Sequence, residues 1–407
     1  MPSIAVIGAG PIGLEAARQS IEQGWSVTVF EQGRIADAIH RWGYVKMFSP
    51  REWNSTPGGR TAIDYEVPLE ECESGDEFAT GYLEPLARWI ESRAEVLTGT
   101  RVRGISRSDW LKGDRIGERS GQPFRLLIET ADQEAIHTSD IVLDCSGVFS
   151  TPSRAGAGGI CCPGERSNAD LIEYGVPTAS RFATIAEKKR VLVLGSGYSA
   201  ATMVSELLKR AGDQQAEVIW STRSCRPEGP LIPIPDDSLP ARNQLSLRAN
   251  RLVSEPSGPV RWLAETVVDS VVREGEALGV RLRNLRTQQV EELVVDHVLA
   301  CTGFRPDREL ARELQIHECY ATEGPIKLAA ELIGQSGGDC TQVTSSGVGV
   351  LVNPEGDYFI LGAKSYGRSS RFLLQNGYAQ VTAVIRLLAS RSEPAGAVST
   401  GGSSCAQ

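Results

Sequence analysis

The sequence predicts an α/β protein built from two Rossmann-like dinucleotide-binding domains of the three-layer ββα type, one inserted in the other. Three observations predict it. A glycine turn between strand and helix, GAGPIG at residues 8–13, opens the chain. It recurs as GSGYSA at residues 195–200, and two apolar strands, IVLDCSG (141–147) and VLACTG (298–303), each stop at a small-residue turn.

The first unit runs from Ser3 to Glu31. Ile4, Val6 and Ile7 read as a short buried strand, Leu14, Ala17 and Ile21 recur at helical spacing before Gly24, and Val27, Val29 and Phe30 form a second strand. In G-x-G-x-x-G, Gly8 allows the tight turn, Gly10 lets the backbone approach a pyrophosphate, and Gly13 lets the helix pack closely on the strand. The phosphates then sit at the positive end of the helix, beside Pro11 and Ile12. Glu31, followed by Gln32, closes the second strand, where a carboxylate accepts the ribose hydroxyls of a dinucleotide.

In the second unit Val191 to Leu194 make the strand, and Gly195, Gly197 and Ala200 give G-x-G-x-x-A with Ser196, Tyr198 and Ser199 in the turn. Val204, Leu207 and Leu208 continue as a helix. A whole βαβ unit repeated within one chain marks a second dinucleotide site. Its second strand, EVIWS (217–221), ends in Thr222 and Arg223 instead of an acid. A carboxylate there would repel a 2′-phosphate, whereas a guanidinium pairs with it through two charge-assisted hydrogen bonds, so NADPH is expected over NADH. The turns at Ser146–Gly147 and Thr302–Gly303 return the chain toward the two nucleotides. Val102 lies in the β-like stretch Val96 to Ile105.

The 407 residues are 41% apolar and 23% charged, as in an ordinary globular protein, with a formal net charge of −9. That balance argues against nucleic acid or an anionic membrane as the partner. The strand that begins at Ser3 leaves no room for a charged and apolar leader, and no run approaches the roughly 18 apolar residues of a membrane span. A cytoplasmic location is expected. Nine scattered cysteines suit reduced thiols better than a disulfide framework, and four isolated histidines show no metal-ligand spacing.

Between these landmarks, Glu84–Arg93 reads as a helix, and Phe124–Thr130 with Ala135–Asp144 as strands of a small meander. Thr151–Pro177 reads as a linker and active-site loop, and 225–237 as a proline-rich loop. The stretches Arg34–Gly59 and Ser224–Leu245 are read as substrate-contacting loops. Asp357–Gly362 is a strand, followed by a helix from about Ser370 to Ala389 with an apolar stripe from Phe372 to Leu388.

Taken together, GAGPIG with Glu31, GSGYSA with Arg223, ACTGF (300–304) and LGAKSYG (361–367) resemble the two-dinucleotide-binding-domain flavoproteins. That superfamily holds the flavin-containing monooxygenases and the thioredoxin-reductase-like enzymes. The resemblance covers nearly the whole chain. It implies an FAD-binding domain at 1–160 and 306–392 and an NADPH-binding domain at 175–305 inserted in it; the small, polar composition of 393–407 reads as a disordered tail. The resemblance also implies NADPH reducing FAD by hydride transfer. The segment WGYVKMFSP (42–50) looks like the W-x-x-[VL]-[KR]-x-F-S-P loop of bacterial flavin-dependent monooxygenase-like proteins, which places Trp42, Phe48 and Ser49 among the candidate flavin contacts. The aromatics of this loop either cover the flavin ring or plug the space under the loop. The F-x-G-x-x-x-H-x-x-x-[FY] fingerprint of Baeyer-Villiger and N-hydroxylating members is absent.

A further departure sits after the C-terminal strand, where disulfide reductases of this superfamily carry an aspartate for the ribityl chain. Here Gly362 is followed by Ala363 and Lys364. That lysine either pairs with the FAD pyrophosphate, or stabilises charge on the flavin, or faces solvent. Disulfide reduction needs a dithiol at the flavin, usually C-x-x-C or C-x-x-x-x-C, and neither spacing occurs. The close pair is vicinal, Cys161 and Cys162. The expected activity is an NADPH-dependent FAD monooxygenase acting on a small molecule with O₂. The alternatives are a disulfide or small-thiol reductase that uses the flavin directly or through Cys161 and Cys162, and a flavin- and NADPH-binding sensor without turnover. A homodimer is left open.

Overall fold

The computed structural model describes residues 1–211, 217–254, 258–334 and 347–392. Two five-stranded parallel sheets of the same design form its core. The first runs Tyr358–Ile360, Ile141–Asp144, Ser3–Ile7, Ser26–Phe30, Glu95–Leu97, and so draws strands from both ends of the chain. The second runs Ile172–Tyr174, His297–Ala300, Arg190–Leu194, Glu217–Ser221, Val260–Leu263. In each, the glycine-turn strand lies in the middle.

Each sheet is covered on both faces, and for that reason its central strands read as unbroken apolar runs. Ile4 and Val6 point to the helix layer, where they meet Leu14 and Ala17, while Ala5 and Ile7 point to a three-stranded antiparallel meander with Ile105, Phe124 and Leu126. The second unit repeats the division. Val191 and Val193 pack on the helix carrying Val204 and Leu207, and Leu192 and Leu194 pack on a meander with Val268, Val280 and Leu282. The expected three layers are all present.

Several boundaries differ from the sequence reading. The stretch Ala135–Asp144 is two strands in two sheets: Glu134–Ser139 closes the meander, and Ile141–Asp144 joins the parallel sheet. The chain turns the corner at Asp140, whose Oδ2 accepts from the Ser3 amide and hydroxyl, both at 2.8 Å. The same corner recurs at Asp296, between Val290–Val295 and His297–Ala300, where Oδ2 accepts from the Lys189 and Arg190 amides at 2.9 Å. Val96–Ile105 is likewise broken at Gly99, which takes a left-handed φ of 62°. The C-terminal helix starts at Leu374, later than expected, and Ser224–Leu245 is not all loop, because a helix begins at Pro240 and runs to Ser254. Arg34–Gly59 holds three short helices and the strand Lys46–Pro50. Residues 393–407, expected to be a disordered tail, lie outside the described residues.

The chain passes between the two units twice, and the two passages are hydrogen-bonded to each other. The Ser153 amide donates to Gly303 O and the Arg305 amide to Thr151 O, both at 2.9 Å. Thr302 adds its hydroxyl on Ser153 O at 2.6 Å, and Phe149 meets Phe304 edge-on with centroids 4.9 Å apart. No helix among the described residues is long and apolar enough to cross a membrane.

Candidate functional site

The two glycine turns are built alike. Gly8 has φ 101°, and a Cβ there would lie 2.7 Å from Cys145 O; Gly195 has φ 122°, and a Cβ would lie 2.3 Å from Cys301 O. Both therefore need glycine for conformation and for the close approach of the returning strand. Gly13 serves packing, since a Cβ would sit 1.8 Å from Gly8 O. At Gly10, Gly147, Gly197 and Gly303 a Cβ would meet nothing within 4 Å. These four backbone positions face open space at the carboxyl edges of the two sheets, which is the room a dinucleotide requires. Buried Trp220 braces the second turn by donating from Nε1 to Gly195 O at 2.7 Å.

Glu31 and Arg223 end their strands in different states. The Glu31 carboxylate is buried and accepts from the Ala9 and Gly33 amides, each at 2.8 Å, so it also fixes the glycine turn. Burial pushes its pKa up against those two hydrogen bonds. Gln32 beside it is exposed. Arg223 is exposed and makes no ion pair among the described residues, while its neighbour Thr222 is buried and tied to Ser224 O and the Trp262 indole. Ser196 lies in the turn, Tyr198 and Ser199 open the helix Tyr198–Ala211, and Ala200 is buried. Val102 is buried against the first sheet.

The aromatics of the 42–53 loop part company. Trp42 packs on Gly75 within the first core and acts as the plug. Tyr44 crosses to the second unit, stacking on Phe182 at 5.7 Å. Phe48 meets Tyr198 at 5.6 Å, beside the second glycine turn, and Ser49 is bound to the side chain of buried Asn54. Trp53 turns outward, into a groove of about 980 Å³ along the helices Pro11–Glu22 and Leu374–Ser392 that includes none of the glycine-turn residues.

Lys364 does not face solvent. It is 4% exposed, and its ammonium lies 2.7 Å from Asp144 Oδ2 and 3.1 Å from Ser146 Oγ. Asp144 is fully buried and also accepts from Tyr358 Oη at 2.6 Å and from the Ser146 hydroxyl and amide. Burial opposes its charge, yet Lys364 and then the two hydroxyls hold the carboxyl below its ordinary value. Gly362, with φ 71°, brings this turn against Ile12 of the first glycine turn. The start of the Leu374 helix abuts the same Ile12 through Gly377, and one residue earlier Asn376 carries a buried Nδ2 with no partner. Sequence reasoning missed Asp144 and Asn376, because each gains its meaning from residues more than 200 positions away.

Cys161 and Cys162 stand apart from all of this. Cys162 is buried in the core between the second sheet and its meander, with Leu192, Val268 and Val271. Glu165 folds the loop around it, accepting from the Ala155, Gly156 and Cys162 amides and from Tyr174 Oη. Burial, then Glu165, pushes the Cys162 thiol up to about 12. Both cysteines are free, and no cluster of metal-ligating side chains occurs among the described residues.

No family model matches the chain, and neither does any curated protein. Solved structures do. The bacillithiol disulfide reductase of Bacillus cereus superposes with a TM-score of 0.70 at 18% identity, covering 96% of this chain and 99% of its own. The cadaverine monooxygenase of Erwinia amylovora, bound to FAD, gives 0.66 at 13%, covering 99% of each. Thioredoxin reductase of Lactococcus lactis gives 0.62 at 15%, covering 96% and 98%. The fold is that of the two-dinucleotide-binding-domain flavoproteins. Reductases and a monooxygenase have this same fold, so the fold does not decide between the two activities.

Proposed function

We propose that this chain is an NADPH-dependent FAD oxidoreductase of the monooxygenase type, acting on a small molecule. The observation that supports the FAD and NADPH part of the reading is the pair of matched glycine turns, each opening its helix onto free space, with Glu31 at one and Arg223, without an ion pair among the described residues, at the other; the monooxygenase part is supported by the likeness of the WGYVKMFSP loop and by the burial of Cys162. The residues present fit FAD at the first turn. Gly10 and Gly147 leave room for its diphosphate, and the orphaned Asn376 Nδ2 offers a donor beside Ile12. In this reading FAD is held by segments 1–160 and 306–392 and NADPH by 175–305.

FAD, when bound, accepts a hydride from NADPH and passes electrons on to O₂ or to a substrate. The chain's own residues do the placing. The helix Pro11–Glu22 turns its positive end to the diphosphate, and Glu31 has acceptor capacity left for ribose hydroxyls. Arg223 is free to pair with the 2′-phosphate. Phe48 and Tyr198 link the first unit's loop to the NADPH turn.

A disulfide reductase is the second reading, supported by the likeness to the Bacillus cereus and Lactococcus lactis structures. The position of Cys162, with a thiol raised to about 12, weighs against a dithiol relay through the vicinal pair. The test is to bleach the yellow protein with NADPH without oxygen, then add either oxygenated buffer or a disulfide. Slow reoxidation by O₂, indifferent to disulfide, is expected. Rapid disulfide-dependent NADPH consumption that disappears in Cys162→Ser would sink the monooxygenase reading.

A further inference from the structure

Asp144 and Lys364 are unequal partners. A carboxylate has about four acceptor sites, and an ammonium three donors. Asp144 has four hydrogen bonds: Oδ1 takes the Ser146 amide at 3.1 Å and hydroxyl at 2.6 Å, while Oδ2 takes Tyr358 Oη and Lys364 Nζ. It is saturated. Lys364 spends two donors, on Asp144 and on Ser146 Oγ, and its third N–H meets no acceptor among the described residues. A buried cation with a spare donor favours a further oxygen beside it, from a ligand or a water, since leaving it unmatched costs free energy.

The surroundings say which ligand. Lys364 lies in the turn Gly362–Tyr366, whose first residue backs onto Ile12 of GAGPIG, and Ser146 follows Cys145, whose carbonyl touches Gly8. The start of the helix Leu374–Ser392 closes the same corner through Gly377. The spare donor therefore sits among three elements that frame the proposed FAD site.

We propose that Lys364 contacts the cofactor, donating its third N–H to an oxygen of the FAD diphosphate–ribityl chain, and that Asp144 is its positioning residue. The proposal rests on the FAD reading above. It places a cation where an aspartate would take ribityl hydroxyls as an acceptor, and moves the carboxylate one layer inward to the end of the strand Ile141–Asp144.

The test uses apoprotein of the full chain titrated with FAD and with riboflavin, following flavin fluorescence, alongside thermal unfolding of apo and loaded forms. Lys364→Met alone leaves a buried unpaired carboxylate and is expected to fold poorly, so the decisive variant is D144N/K364M, in which the pair is neutral. It is expected to fold and to bind FAD about tenfold to a hundredfold more weakly, the scale of one charge-assisted hydrogen bond. If riboflavin affinity falls in parallel, the contact is to the ribityl chain; if it is unchanged, the contact is to the diphosphate. Asp144→Asn should lower the Tm of the apoprotein and weaken FAD by less than the double variant does, because the ammonium keeps Ser146 Oγ but loses the carboxylate that aims it. Folded D144N/K364M that binds FAD as wild type does would overturn the proposal, and so would D144N losing FAD as severely as the double variant. Wild-type protein that binds no FAD would instead remove the reading on which both stand.

Discussion

Phe48 and Tyr198 meet edge to face with ring centroids 5.6 Å apart, so the 42–53 loop of the first unit rests directly on the residue that follows Gly197. Edge-on aromatic pairs of this kind contribute about 0.5–1.5 kcal/mol beyond their burial. A double-mutant cycle on Phe48→Ala and Tyr198→Ala, read by denaturant unfolding, should return a coupling of that size. Additive losses would show that the two units do not communicate through these rings.

Gly10 and Gly13 are equally small but should respond oppositely to alanine. A Cβ at Gly10 enters open space, so Gly10→Ala is expected to unfold at the wild-type temperature and lose FAD. Gly13→Ala would force a Cβ to 1.8 Å from Gly8 O and should destabilise the apoprotein itself, by about 1–3 kcal/mol as for other overpacked sites. Calorimetry on the two apoproteins distinguishes them.

Arg223→Ala should weaken NADPH by about tenfold to a hundredfold, the loss of one bidentate phosphate contact, and leave NADH nearly untouched. Equal losses for the two nucleotides, measured by titration, would refute the assigned 2′-phosphate contact.

The cysteines can be ranked by alkylation. Because the Cys162 thiolate is disfavoured up to about pH 12, iodoacetamide at pH 8 should label exposed Cys225 and spare Cys162 in the native protein, as read by mass spectrometry. A raised thiol pKa also means that the stability tied to it is intact below the unfolded value of about 8.5 and is lost as pH climbs toward 12.

His297 supplies the acid-side counterpart. Burial, then the charges of Arg181 and Lys188, lowers its pKa to about 4, so the folded protein holds it neutral while the unfolded chain protonates near 6.5. Its contribution is present above pH 6.5 and drains away as pH falls toward 4, to a total of about 3 kcal/mol. His297→Gln should flatten the stability curve in that window. A curve unchanged in shape would assign the acid loss elsewhere.

What the sequence made legible was local. Each glycine turn is written in six consecutive residues, and the strands around it are apolar because both faces are covered. The corners at Asp140 and Asp296 were hidden because no glycine or proline separates the two strands at either place, and only the amides whose hydrogen bonds these carboxylates accept reveal the change of sheet. The helix Pro240–Ser254 was missed because three arginines interrupt it and prolines crowd its approach. Trp42 and Phe48 lie in one loop with the same chemistry, yet one plugs a core and the other reaches across to Tyr198. Lys364 showed its place only when Asp144, 220 residues away, came beside it.

The paired passages at Thr151–Ser153 and Gly303–Arg305 carry one more consequence. The segment between them leaves and re-enters the first unit through residues already hydrogen-bonded to each other at 2.9 Å. The ends of such a segment are already a hydrogen bond apart, so a short linker joining them would close the first unit without stretching its chain.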